Sequence, residues 1–127
     1  MWAGEYQKMA MRTNDHRSWK RMSDFFVAPH QRFDEAQLFN ATLGLSGETG
    51  EFNDALKKMI FHEKSFDEDM LQKELGDILW YIALICDTFG WSLDSIMESN
   101  LSKLAMRYPN GFDTDRSNNR GGITCIQ

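Results

Sequence analysis

Along this chain the apolar residues recur at intervals of three and four, and nowhere do they alternate with the two-residue period of a strand. The longest such pattern begins behind Asp34, which reads as an N-cap with Gln37 three residues on. Leu38, Ala41, Leu45, Phe52, Leu56 and Met59 then share one stripe of a helix running to about Phe61. Ser65 and Glu68 form a capping box for the next helix, with Leu71, Leu75, Ile78, Ile82 and Phe89 on its stripe and a stop near Gly90. Trp80, Ala83 and Leu84 fill its other sides, so residues 78–86 are apolar nearly all round. Such a segment is expected to be buried on every side, more than one short chain can cover. Ser92 caps a further helix carrying Leu93, Met97, Leu101 and Leu104, ended by Pro109.

Ahead of these, residues 4–13 predict a helix with Tyr6, Met9 and Ala10 at helical spacing. Residues 14–32 predict a short helix and a loop, interrupted by Pro29, with Trp19, Met22, Phe25, Phe26 and Val27 available to pack. Residues 110–127, rich in Asn, Gly, Ser and Arg, read as a loop or arm that needs a partner to become ordered. The expected fold class is all-α: a bundle of four to five helices in one domain, residues 1–112, with a tail over 113–127, completed by oligomerisation as a homodimer or homotetramer.

Composition narrows the setting. At 127 residues the chain suffices for one domain, and 42% apolar with 26% charged residues argues against disorder. A net charge of −5 argues against a nucleic-acid partner. The longest apolar run is less than half of the roughly 20 residues a membrane helix needs, so no membrane partner is expected. The N-terminus lacks the apolar core of a secretory signal. Cys86 and Cys125 read as reduced thiols, and a cytoplasmic location is expected.

The chemistry concentrates in residues 43–77. Glu48 and Glu51 form an E-x-x-E pair, and Glu74 and Asp77 an E-x-x-D pair on the next helix. Residues three apart lie on nearly one face of a helix, so each pair presents two carboxylates side by side. By phase, Glu48 projects among Ala41, Phe52, Ala55 and Met59, and Glu74 among Leu75, Ile78, Tyr81 and Ile85. Ionised carboxylates within apolar stripes cost several kcal/mol each unless paired or bound to metal. If the helices fold back antiparallel, four anions converge, and a hard divalent cation is the simplest way to neutralise them. The all-oxygen donor set suits Mg²⁺, Mn²⁺ or Ca²⁺; zinc would want Cys or His. Magnesium in a partial cage implies a phosphate-bearing substrate. Lys58 lies two turns after Glu51 on the same side of its helix, and Asn100, Lys103 and Arg107 share one face of the last long helix; Lys and Arg are suited to phosphate oxygens. Gly44, Gly47 and Gly50, at about 1 kcal/mol each relative to alanine, call for close approach of another backbone or of a bulky ligand.

The strings LGLSGETGE, KELGD and NLSKLAMRYPNGF, with EYQKMAMRT near the start, resemble the MazG-like all-α nucleoside triphosphate pyrophosphohydrolases. The resemblance covers nearly the whole chain except residues 15–32. It implies Mg²⁺ held by the acids that match Glu48, Glu51, Glu74 and Asp77, with Mn²⁺ a substitute that the donor chemistry above allows. It implies phosphate or sugar contacts from Asn100 and Lys103, assembly as dimers or tetramers, and hydrolysis of a nucleoside triphosphate, ribo or deoxyribo, to the monophosphate and pyrophosphate. In that chemistry Glu51 is the candidate catalytic residue that orients or deprotonates water, while Lys58, Lys103 and Arg107 steady the leaving pyrophosphate. The competing class is a non-catalytic helical oligomer that binds a nucleotide or a partner protein.

Overall fold

A computed structural model describes residues 2–28 and 33–119, and among them every regular element is a helix. Helix α1 spans Ala3–Ala10 and runs into a single 3-10 turn, Met11–Thr13. It is followed by α2 (Ser18–Val27), α3 (Glu35–Phe61), α4 (Glu68–Phe89), α5 (Leu93–Arg107) and a one-turn α6 (Thr114–Asn118). Pro29, Arg32 and Cys125 lie outside the described residues.

Local chemistry sets the helix ends. The Gln37 backbone N–H donates to the Asp34 carboxylate at 2.9 Å, as the sequence predicts. The start of α4 corrects the expectation: its N-cap is Asp67, which accepts from the Met70 backbone N–H at 2.9 Å, and Ser65 lies outside the helix. A carboxylate one residue before the first turn satisfies the same orphan donors that Ser65 would have reached, and it also favours the helix dipole. Gly90 ends α4 with φ +66°, and Trp91 N–H returns to the Cys86 carbonyl at 2.8 Å, a closure that favours glycine. The expected unstructured tail is partly helical, because Asp113 accepts from the N–H groups of Asp115 and Arg116 and nucleates α6.

Among the described residues, extensive helix–helix packing is that of α3 and α4, which lie antiparallel. Three contacts fix their register. The Gln37 amide donates to Asp87 Oδ2 at 2.9 Å and Thr88 Oγ1 at 3.1 Å. Seven residues on along α3 and seven back along α4, Gly44 meets the Tyr81 ring. A Cβ built on Gly44 would stand 2.1 Å from Tyr81 Cε1, so an ordinary side chain cannot occupy this place. Four more residues each way bring Glu48 opposite Asp77. Gly44 therefore serves helix packing, whereas Gly47 and Gly50 face open space.

The seam is thin. Ala41, Ala55, Met59, Cys86 and Thr88 are buried, and the far side of α4 is not. Leu75, assigned to the packed stripe by periodicity, is 50% exposed, as are Leu79 at 55% and Trp80 at 57%. The all-round burial expected of residues 78–86 is thus met on one side only, because one neighbouring helix covers one face. Trp2, Tyr6 and Met9 of α1 and Met97 and Leu101 of α5 are also exposed. The chain presents 10,843 Å² of accessible surface, against about 7,000 Å² for a compact monomer of this mass.

Gly44→Ala forces the Tyr81 ring aside and should destabilise the fold by about 1–3 kcal/mol from overpacking, less the ~1 kcal/mol that alanine gains in a helix. Gly47→Ala meets no obstacle and should keep only the gain. Urea denaturation of both variants checks this; equal stabilities would contradict the Gly44–Tyr81 contact.

Candidate metal centre and groove

The α3–α4 register carries the acids of both helices to one place. One oxygen from each of Glu48, Glu74 and Asp77 lies within 4.8 Å of the others. Glu48 and Glu74 are half-buried at the helix seam and Asp77 is exposed at its edge. Glu51, one turn after Glu48, is exposed and stands outside this triad. Its charge is nevertheless felt. Burial pushes the Glu48 carboxyl above its ordinary pKa, and the charges of Glu51, then Asp77 and Glu74, raise it further. Three oxygen donors this close, one reluctant to ionise beside the others, fit a hard cation; no histidine or cysteine belongs to the group.

Glu74 also borders a groove of about 380 Å³, lined besides by Gly47, Gly50, Glu51, Asp54, Ala55, Lys58, Lys64 and Met70. The two glycines without a packing partner thus widen a channel beside the carboxylates. Lys58 reaches this groove and is ion-paired there with Asp54 at 2.7 Å. Asp54 accepts from both Lys57 and Lys58, which hold its carboxyl down at a pKa of about 2. The same pairing raises the Lys58 ammonium above its ordinary value. Asp54 was legible as the residue four before Lys58, the spacing of helical ion pairs. Lys64 sits in the α3–α4 connection, where no periodicity announces a role.

Asn100 and Lys103 do not line this groove. They border a separate one of about 780 Å³ along α5 and the α4–α5 turn, with Trp91, Ser92 and Met97 among its walls. Arg107 holds its guanidinium 6.0 Å from the Tyr108 ring centroid, and its carbonyl accepts from Arg116 Nη1 at 3.4 Å. Among the described residues, α5 has no extensive packing against the carboxylate-bearing helices within one chain.

The profile of the MazG nucleotide pyrophosphohydrolase domain matches residues 38–112, which takes in α3 from Leu38 on, α4, α5 and all four acids. The chain belongs to the MazG nucleotide pyrophosphohydrolase family. It is also similar to the Gene 37 protein of Mycobacterium phage L5, with 34% identity over 83 residues, 62% of this chain and 73% of that protein. No solved structure matches. Among the described residues no helix is long and apolar enough to cross a membrane.

The crowding at Glu48 has a sign that can be measured. Its raised pKa means that, between the ordinary carboxylate value and the raised one, the folded state holds a proton the unfolded state has released. Without metal, stability therefore falls as pH rises through that window and stays lower above it. Glu48→Gln should raise the Tm of the metal-free protein at pH 7. Millimolar Mg²⁺ should raise the wild-type Tm by several degrees by mass action and leave the variant nearly unmoved. Calorimetric melting tests both; a variant less stable than wild type without metal would count against this electrostatic picture.

Proposed function

We propose that this protein is a cytoplasmic, Mg²⁺-dependent nucleoside triphosphate pyrophosphohydrolase that converts a ribo- or deoxyribonucleoside triphosphate to the monophosphate and pyrophosphate. The observation that carries the reading is the convergence of Glu48, Glu74 and Asp77 within 4.8 Å beside a groove that also holds Glu51 and Lys58. Glu48, Glu51, Glu74 and Asp77 hold the metal, with Mn²⁺ an acceptable substitute. When bound, the cation neutralises phosphate charge and acts as a Lewis acid on the phosphoryl oxygens.

The chain's own groups do the rest. Glu51, exposed in the groove beside the close triad, also orients a water for in-line attack on the α-phosphorus and accepts its proton. The new bond forms between the water oxygen and the α-phosphorus; the bond from that phosphorus to the bridging oxygen breaks, and pyrophosphate leaves with the electron pair. Lys58, held in place by Asp54, stabilises charge on the leaving group. Asn100, Lys103 and Arg107 contact substrate from α5. Because Asn100 and Lys103 line a separate groove and α5 is not extensively packed against α3 and α4 within one chain, these contacts come from a second copy. The unpartnered face of α4 and the large accessible surface support a homodimer or homotetramer.

Turnover in ¹⁸O-water should place the label in the nucleoside monophosphate and none in pyrophosphate. Glu51→Gln should lower kcat by about 10²-fold or more, as loss of a general base does, with the fold intact by circular dichroism. Label in pyrophosphate would mean attack at the β-phosphorus, and an unchanged rate in Glu51→Gln would remove the base role from this residue.

A further inference from the structure

The groove beside the carboxylates contains three acids, Glu51, Asp54 and Glu74, and two ammonium groups, Lys58 and Lys64. Asp54 is already committed to Lys57 and Lys58. Lys64 makes no ion pair among the described residues, although its chain neighbour Glu63 and the groove acids are near in sequence or space. An unpaired cation lining a groove that also borders the carboxylate cluster is poised for an anionic ligand that reaches a metal held by those carboxylates.

The backbone holds Lys64 there. Glu63 takes a left-handed conformation, φ +53°, uncommon for a residue with a side chain. That turn folds the chain back over the end of α3, where the Lys64 backbone N–H donates to the Lys58 carbonyl at 3.3 Å. The connection thus brings Lys64 to the same groove as Lys58 instead of letting it trail into solvent. Backbone strain of this kind persists where surrounding structure determines it.

We propose that Lys64 is a substrate-binding residue, taking the distal phosphate of a triphosphate that lies along the groove from the carboxylates past Lys58. This rests on the functional reading above and extends it to a residue on the connection between the two acid-bearing helices. The inner phosphates lie toward Glu48, Glu74 and Asp77, and the terminal one toward the end of α3. An ammonium at that end favours a triphosphate over a shorter chain, since only the longer chain reaches it.

The test uses inorganic tripolyphosphate as the probe, titrated by calorimetry into the full-length protein with saturating Mg²⁺. Lys64→Met should weaken its binding about tenfold, the loss of one charge-assisted hydrogen bond, and Lys64→Arg should restore most of it. Affinity for Mg²⁺ alone should not change. Lys20→Met removes the same charge from α2, where it pairs with Asp24 and does not line the groove, and should leave tripolyphosphate binding near wild type. In turnover, Lys64→Met should raise KM for a nucleoside triphosphate with kcat held within about twofold, the signature of lost uniform binding. Equal tripolyphosphate affinity in wild type and Lys64→Met overturns the proposal alone, as does an equal loss in Lys20→Met. A wild-type protein that binds neither Mg²⁺ nor tripolyphosphate overturns the functional reading and this proposal with it.

Discussion

The structure depends on one contact at the seam of two antiparallel helices: the Tyr81 ring lying against the bare backbone of Gly44. Helix axes separated by ordinary side chains run 8–10 Å apart. A glycine facing an aromatic ring lets the ring lie against backbone and pins the sliding of one helix along the other. One turn further, that register sets Glu48 against Asp77 and Glu74. A slip of one residue would rotate the acids of α4 by about 100° and disperse the cluster. The Gln37 amide, bonded to Asp87 and Thr88, locks the same register from the other end.

Holding anions together is costly, and the molecule shows that cost at Glu48, whose carboxyl resists ionisation through burial and through its neighbours. A divalent cation bound there would offset this destabilising arrangement, and stability and metal occupancy would then be linked. The adjoining groove has the opposite logic. Its lysines attract anions, yet Asp54 neutralises part of that charge and keeps Lys58 fixed. With a cation in the carboxylate cluster, the local balance tips toward attraction of phosphate.

Much of this was legible in the sequence, for reasons particular to the residues. Ala41, Leu45, Phe52 and Met59 are spaced so that one face must pack, and Glu48 falls inside that face, which makes it conspicuous. The packed face of α4 was less legible, because its second half is apolar on every side and periodicity cannot choose among Leu75, Ile78, Leu79 and Tyr81. The choice of Tyr81 for the seam is made by the gap at Gly44. Ser65 resembled a cap but Asp67 serves, since two competent oxygens stood two residues apart and spacing alone does not rank them. Asp113 as the cap of α6 was readable in principle, hidden by the polar composition around it. That Asn100 and Lys103 line a groove other than the one beside the carboxylates was not readable at all, because helix phase says nothing of where a helix outside the main seam sits. Lys64 lies in a connection, where position follows from a backbone turn at Glu63 and not from a repeat.

The most direct measurement is Mn²⁺ binding followed by electron paramagnetic resonance in the wild-type protein, in Glu74→Gln and in Asp77→Asn. Mn²⁺ takes the same oxygen donors as Mg²⁺ and loses its free-ion signal on binding. Tight binding in the wild type, with large losses in both variants whose folds persist by circular dichroism, is the expected result. Wild-type affinity in either well-folded variant would show that α3 and α4 do not together build a metal centre.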